Sequence, residues 1–184
     1  MGLLQWLRRL FTGTPDAISG VSPFQSGTGP SRLVVLRHSE KSADKRDPHL
    51  SLEGRRRAEQ IATYIPATFG RPQFLIAART SNRSRRPVET LEPLAAALAL
   101  EVRAKFDDDD TAGLIETLRD KKRYRGKLGV ICWRHSQLPR LVAALGADPE
   151  TFPNSWDEDD YTTIIDVTFP GNGEVKVERQ QMPF

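Results

Sequence analysis

The tripeptide Arg-His-Ser occurs twice in the chain, each time directly after an apolar run. The first copy, residues 37–39, follows "LVVL", and the second, residues 134–136, follows "VICW". Two of the three histidines of the chain, His38 and His135, belong to these copies. An imidazole can accept a phosphoryl group covalently, and a guanidinium matches phosphate oxygens with paired N–H groups. Residues of these types indicate a site suited to a phosphoryl group.

Both copies stand where a predicted strand ends. In open α/β sheets the ligand crevice lies outside the carboxyl ends of the strands, and parallel strands bring those ends to one edge. The Arg-rich segment "ARTSNRSRRP", residues 78–87, follows a further apolar run, "FLIAA", in the same way. We therefore expect His38, His135 and some of these arginines to converge, although the two histidines are far apart in sequence.

The elements that must position these residues alternate between strands and helices. Short apolar runs predict strands at 33–36, 74–78, 101–106 and 127–133, with helices between them. Ser51 is a plausible N-cap, Pro87 suits a first helical turn, and Gly146 suits a helix end. A Pro-Gly-Asn-Gly turn joins 161–169 to 174–180 as an antiparallel hairpin. The sequence predicts an α/β three-layer sandwich: a mostly parallel central sheet flanked by helices, with a C-terminal antiparallel hairpin.

Composition limits the class of protein. The 184 residues include 38% hydrophobic and 28% charged residues, as in a soluble globular domain. A net charge of +3 is a small excess, so we expect no nucleic-acid partner. Cys132 is the single cysteine, which excludes an internal disulfide and a cysteine-based metal cluster and fits a cytoplasmic location. No apolar stretch approaches the roughly 20 residues that span a bilayer.

Residues 1–30 differ from residues 31–184, which we take as the main domain. The start, "MGLLQWLRRLF", places its leucines and Phe11 on one helical face, and a Gly-, Ser- and Pro-rich segment that we interpret as a linker follows it. Three interpretations of residues 1–11 stay open: packing on the same domain, peripheral contact with a membrane, or contact with a partner protein.

Four segments together resemble the histidine phosphatase superfamily, which contains the phosphoglycerate mutases and acid phosphatases. "VVLRHSEK" resembles its Arg-His-Gly-Glu motif, and "LSLEGRRRAEQIA" resembles the segment that follows that motif. "SRRPVETLEPLA" resembles its Arg-Ala-x-Gln-Thr-Ala-x-x-Leu motif, and "VICWRHSQLPRLVAALG" resembles the strand carrying the second histidine. The segments occur in the family order, and the chain is short enough to favour the small phosphatase branch over the mutases.

The resemblance implies a role for each matching residue. His38 is similar to the nucleophile that forms a phosphohistidine, and Arg37, Arg86 and His135 are similar to the residues that hold the phosphoryl oxygens. For His38 to attack, one ring nitrogen must be unprotonated, and a backbone carbonyl accepting from the other nitrogen would fix that tautomer. The resemblance implies no metal and no cofactor.

The proton donor for the leaving group is the least defined part of the predicted site. The resemblance places it after the third predicted strand, where the chain has "FDDDD", so Asp107 and Asp108 are the first candidates and Asp109 and Asp110 the next. Two alternatives stay open: the four carboxylates form a solvated loop or a helix cap, or the enzyme has no donor. A phosphoramidate substrate needs none, because its leaving nitrogen is easily protonated.

Further candidates surround the predicted pocket. Ser39 and Ser136 replace glycines of the resembling motifs, and their hydroxyls are candidate phosphate contacts. Arg83 and His49 are candidate substrate contacts at the rim. Asp44 stands where the mutases have Asn, and its charge would repel phosphate.

The resemblance implies a metal-independent phosphatase that acts on a phosphate monoester or phosphoramidate, with a phosphorylated small molecule or a phosphoprotein as its partner. The alternatives are a protein phosphohistidine phosphatase and a catalytically weak module that binds a phosphorylated ligand. An RNA-binding α/β domain is disfavoured, since no RNA motif or interleaved aromatic residues occur.

Overall fold

Seven strands form a continuous sheet in the computed structural model, which describes residues 18–44, 46–148 and 155–184. The strands are β1 (Ile18–Val21), β2 (Arg32–Arg37), β3 (Phe74–Ala78), β4 (Val102–Phe106), β5 (Leu128–Trp133), β6 (Thr163–Thr168) and β7 (Glu174–Gln181). Their order is β1-β7-β6-β2-β5-β3-β4. β2, β5, β3 and β4 are parallel, whereas β6, β7 and β1 add antiparallel pairs. The predicted parallel strands and C-terminal hairpin are confirmed.

Helices cover both faces of the sheet. They are α1 (Leu52–Phe69), α2 (Arg86–Leu98), α3 (Thr111–Asp120) and α4 (Leu138–Ala144), and short 3-10 turns span Lys122–Tyr124 and His135–Gln137. α1 and α2 pack on one face, and α3 and α4 pack on the other. The predicted three-layer sandwich is therefore confirmed. None of the helices in the described residues is long and apolar enough to cross a membrane.

The central strands are apolar throughout because each of their faces meets a helical layer. Along β2, Val34 and Leu36 contact the α1–α2 layer, and Leu33 and Val35 contact the opposite layer. These four side chains are fully buried. A covered strand needs no polar face, which is why the run before Arg37 shows no alternation.

One strand lies where the sequence predicts a linker. β1 pairs antiparallel with β7, with Gly20 opposite Val175. A side chain at Gly20 would place its Cβ 1.8 Å from the Gly146 carbonyl oxygen, so only glycine allows this close approach. The linker prediction is wrong for these residues, because edge pairing uses main-chain groups and does not need an apolar pattern. The predicted segment 1–11 lies outside the described residues.

The start of α1 is anchored against the end of the segment that carries His38. Ser51 caps the helix as predicted: its Oγ accepts a hydrogen bond from the Gly54 amide at 3.0 Å. The Ser51 amide donates to the Glu40 carbonyl oxygen at 2.9 Å. The Glu40 carboxylate in turn pairs with Arg57 Nε at 2.6 Å. This ion pair draws Arg57 inward, and its side chain is 13% exposed.

Replacing Gly54 with alanine tests the close contact between α1 and Glu40. A clash would lower the stability of the protein, whereas helix propensity alone would raise it. The new Cβ would stand 2.4 Å from the Glu40 carbonyl oxygen, although alanine is favoured over glycine in a helix by about 1 kcal/mol. We expect the clash to dominate, so that Gly54→Ala lowers the free energy of unfolding by about 1–3 kcal/mol in urea titrations. Gln60→Ala on the exposed side of α1 is the control. A stabilised Gly54→Ala protein would contradict the packing.

Candidate active site

The two Arg-His-Ser copies meet because β2 and β5 are neighbours in register. Arg37, the last residue of β2, lies opposite Trp133, the last residue of β5. The His38 amide then donates to the Trp133 carbonyl oxygen at 3.1 Å. The expectation that both copies emerge at the same edge of the sheet is confirmed.

His38 is held as a neutral imidazole with one defined tautomer. Its side chain is buried, with 4% of the residue exposed, and Nδ1 lies 2.8 Å from the Ser39 carbonyl oxygen. A carbonyl oxygen can only accept, so Nδ1 must carry the proton and Nε2 the lone pair. Burial, followed by the positive charges of Arg37 and Arg86, lowers the pKa of His38 to about 3. Nε2 is therefore in its nucleophilic form near neutral pH.

Arg37 is fixed on one side and has free donors on the other. The residue is 2% exposed, and its Nη1 donates to the carbonyl oxygens of residues 157, 158 and 160. Its guanidinium carbon lies 3.8 Å from the centre of the Tyr161 ring. Burial lowers the pKa of Arg37, but an arginine stays charged. Among the described residues, nothing hydrogen-bonds to its buried Nε and Nη2.

Arg86 is placed by the first turn of α2. Its Nη1 donates to the Asp47 carbonyl oxygen at 3.1 Å, while its Nε is buried without a hydrogen-bond partner in the part of the chain that the structure describes. Thr90, one turn later, links this turn to β2: its Oγ1 donates to the Arg86 carbonyl oxygen at 2.8 Å and accepts from the Ser39 amide at 2.9 Å. Sequence reasoning missed Thr90, although it lies within the segment that contains Arg86.

His135 opens a 3-10 turn at the mouth of the site. Its Nε2 lies 3.8 Å from a carboxylate oxygen of Glu158, whose other oxygen is 3.7 Å from Lys41 Nζ. Within the described ranges, its buried Nδ1 has no hydrogen-bond partner. Burial and then the charge of Arg37 lower the pKa of His135, against the opposing effect of Glu158. Glu158 and Tyr161 were missed because the acidic segment that contains them carries no recognisable motif.

These side chains can bind a tetrahedral oxyanion. Arg37, Arg86 and His135 each have a buried nitrogen atom without a hydrogen-bond partner in the described part of the chain, and each is near enough to His38 to lower the pKa of its imidazole. Preorganised positive groups of this kind stabilise negative charge that develops on oxygen atoms. The described residues hold no cluster of three or more His, Cys, Asp or Glu side chains placed to bind a metal ion.

Comparison with known proteins gives a clear result only at the level of structure. No protein-family model matches the chain, and no curated protein matches it either. The protein histidine phosphatase SixA, solved with tungstate, superposes with a TM-score of 0.55 at 16% identity, covering 82% of this chain and 96% of its own. The mycobacterial glucosyl-3-phosphoglycerate phosphatase, solved with inorganic phosphate, gives 0.54 at 16% identity, with coverages of 84% and 97%. A phosphoglycerate mutase from Bacillus anthracis gives 0.55 at 12% identity, with coverages of 85% and 94%.

This chain has the histidine phosphatase fold. The resemblance seen in four short segments therefore extends to the arrangement of the strands and helices. At these identities the likeness concerns the fold, so the chemistry of the site must be argued from this chain's own side chains.

Three of the four aspartates that follow β4 are engaged in other contacts. Asp107 pairs with Arg79 at 3.3 Å, and Asp108 pairs with Arg134 at 3.1 Å. Asp110 caps α3 by accepting from the Gly113 amide at 3.0 Å, as the capping alternative predicts for it. A proton donor needs a carboxyl O–H, whereas an ion-paired carboxylate only accepts. The donor role of Asp107 and Asp108 stays a prediction.

The other candidate contacts lie at different depths of the candidate site. Ser39 is buried, and its hydroxyl has no hydrogen-bond partner among residues that the structure describes. Ser136 and Arg83 are exposed. His49 lies at the rim with Nδ1 2.5 Å from Glu89 Oε1. Contact of these four residues with a substrate stays a prediction.

The buried state of His38 predicts a pH dependence of stability. In the unfolded chain His38 titrates near its ordinary pKa of about 6.5, whereas its folded pKa is about 3. Between these values the unfolded chain binds the extra proton, so His38 opposes folding increasingly as pH falls from 6.5 and has no such effect above it.

Replacing His38 with asparagine removes this dependence. Between pH 4 and 6 we expect the slope of unfolding free energy against pH to decrease by up to about 1.4 kcal/mol per pH unit, measured by urea unfolding. Curves for the variant and the original protein that stay parallel from pH 7.5 to pH 4 would contradict the buried, neutral imidazole.

The position of the Glu158 carboxylate predicts an effect on anion binding. This carboxylate lies 3.7 Å from Lys41 Nζ and 3.8 Å from His135 Nε2, so its negative charge opposes the entry of an anion at this place. We expect Glu158→Gln to tighten the binding of tungstate or inorganic phosphate about two- to fivefold in calorimetric titrations, the range of an exposed ion pair. Glu174→Gln, which changes a remote carboxylate, is the matched control. Equal affinities in the two variants would exclude this effect.

Proposed function

We propose that this protein is a metal-independent phosphatase that hydrolyses a phosphate monoester or a phosphoramidate through a phosphohistidine at His38. The observation that carries the proposal is the buried His38 with its proton fixed on Nδ1, surrounded by guanidinium groups that have free donors. A protein gains nothing in stability from such unpartnered buried donors, because each one costs the desolvation energy of a polar group. An anionic substrate would satisfy them.

The reaction divides into two transfers. Nη2 and Nε of Arg37, Nε of Arg86 and the ring of His135 hold the non-bridging oxygens of the phosphoryl group, where charge accumulates in a loose transition state. Nε2 of His38 forms a bond to phosphorus while the bond to the leaving oxygen or nitrogen breaks. The leaving atom keeps that electron pair and takes a proton from solvent or from a side chain at the mouth. Water then attacks phosphorus and releases a proton, and the N–P bond returns its electron pair to Nε2.

The structural neighbours support the ligand class of this proposal. SixA was solved with tungstate and the mycobacterial phosphatase with inorganic phosphate, and both are tetrahedral oxyanions. In this chain, His38 and His135 follow two neighbouring parallel strands that end at one edge of the sheet. We accordingly propose that a phosphorylated small molecule or phosphoprotein is the partner.

A protein phosphohistidine phosphatase is the second candidate. It is favoured by the ion pairs of Asp107 and Asp108, which leave these carboxylates as acceptors. An ester needs a proton donor for its leaving oxygen, whereas the leaving nitrogen of a phosphoramidate is protonated readily. A protein without a strong donor would therefore favour the phosphoramidate.

Trapping the phosphoenzyme tests the proposal. The protein is incubated with 4-nitrophenyl phosphate or with phosphoramidate, quenched in alkali and assayed for acid-labile phosphate, with and without a metal chelator. We expect turnover and an alkali-stable phosphoenzyme, both unaffected by the chelator, and a loss of about a thousandfold or more in His38→Asn. Arg119→Gln changes an arginine that pairs with Asp120 on α3 and serves as the control. A higher kcat/KM for phosphoramidate than for the ester favours an N–P substrate, the class to which the second candidate belongs.

Three results would count against this mechanism. Turnover that survives in His38→Asn removes the nucleophile. Phosphate binding without turnover or phosphoenzyme identifies a binding module instead of an enzyme. Loss of activity with the chelator shows that a metal is needed.

A further inference from the structure

The second Arg-His-Ser copy contains an arginine to which the resemblance gives no role. Arg134 stands between the end of β5 and His135, and its side chain is 25% exposed. Its Nη1 lies 3.1 Å from Asp108 Oδ2, and its Nη2 donates to Ser81 Oγ at 3.2 Å. The guanidinium is therefore held between the loop after β4 and the loop after β3, unlike a solvated surface arginine.

The partner that orients Arg134 is itself fixed. Asp108 accepts, at its carbonyl oxygen, a hydrogen bond of 2.8 Å from Trp133 Nε1, and the Trp133 side chain is fully buried. Trp133 thus fixes the main chain of Asp108, and the Asp108 side chain pairs with Arg134. A surface ion pair without such support costs side-chain entropy and contributes little. The support indicates that the orientation of this guanidinium matters.

Arg134 also resembles Arg37 and Arg86 in having a donor without a partner. Its Nε is buried and, as far as the described residues go, makes no hydrogen bond. Arg134 is near enough to Arg86 that, after burial, its charge is the next cause that lowers the pKa of Arg86. Two neighbouring guanidinium groups repel each other unless an anion lies near both. Asp108 pairs with Arg134, and the charges of Asp47 and Glu89 oppose the effect of Arg134 on the pKa of Arg86.

We infer that Arg134 forms a second anion subsite next to the phosphoryl site, so that the preferred ligand carries a second anionic group close to its phosphate. The ligand class is a phosphorylated compound with a neighbouring carboxylate or a second phosphate. Arg134 binds the second group, and Asp108 and Ser81 are positioning residues. The substrate preference rests on the proposed function, whereas the subsite itself is a binding property.

Non-hydrolysable probes test the subsite without requiring turnover. Phenylphosphonate has one anionic group, the 2-, 3- and 4-carboxyphenylphosphonates add a carboxylate, and the phenylene diphosphonates add a second phosphonate. We expect at least one doubly anionic isomer to bind the folded protein about tenfold or more tightly than phenylphosphonate in calorimetric titrations, the value of a charge-assisted pair. Comparing the carboxyphenylphosphonates with the phenylene diphosphonates shows whether the second anionic group is a carboxylate or a second phosphate.

Variants of the subsite show whether Arg134 causes this preference. Arg134→Gln is expected to reduce the tenfold preference to less than about twofold, and Arg134→Lys to keep part of it. Asp108→Asn, which releases the guanidinium, is expected to give an intermediate preference. Arg119→Gln, the matched control on α3, should keep the full preference.

Two results would overturn the inference: no doubly anionic probe binds more tightly than phenylphosphonate, or the preference is unchanged in Arg134→Gln. If Arg134→Gln fails to fold, an unchanged preference in both Arg134→Lys and Asp108→Asn is the overturning result. Failure of the proposed function looks different. In that case the probes still discriminate and Arg134 still controls the discrimination, but no phosphoenzyme forms.

Discussion

Buried guanidinium nitrogens without a hydrogen-bond partner are the constraint on which the site depends. Arg37, Arg86 and Arg134 each bring at least one buried nitrogen that has no partner among the described residues, and the charges of Arg37 and Arg86 act on the neutral imidazole of His38. In a medium of reduced polarity such groups repel one another and lack the water that would solvate them. An anion that enters the site would satisfy these donors, as the proposed function requires.

Contacts elsewhere in the fold hold these charged side chains and the neighbouring main chain in place. Carbonyl oxygens of residues 157–160 and the ring of Tyr161 hold one side of Arg37 and leave its other side free. Thr90 joins the start of α2 to the main chain of Ser39, next to His38. The Glu40–Arg57 pair fixes α1 against the same segment. Each contact restrains a side chain or main-chain segment that a looser surface loop would leave mobile.

Much of this arrangement could be predicted from the sequence because it depends on local sequence patterns. Apolar runs covered on both faces gave the parallel strands, Ser51 marked the start of α1, and the order of four motifs placed His38, His135 and Arg86 at one edge of the sheet. β1 could not be predicted in this way, because an edge strand that pairs through its main chain needs no apolar alternation. The roles of Glu158, Tyr161 and Arg134 were also hidden, since each depends on a contact between segments that are distant in sequence or carry no motif.

The ionisation state of His38 is the most direct test of the account. Nitrogen-15 NMR of the labelled protein from pH 5 to pH 8, with the His38 signals assigned by comparison with His38→Asn, reports the protonation of each ring nitrogen. We expect a neutral ring with the proton on Nδ1 and no titration in this range, because burial and neighbouring charge lower the pKa of His38 to about 3. A His38 ring that titrates near pH 6.5, or that carries its proton on Nε2, would contradict it.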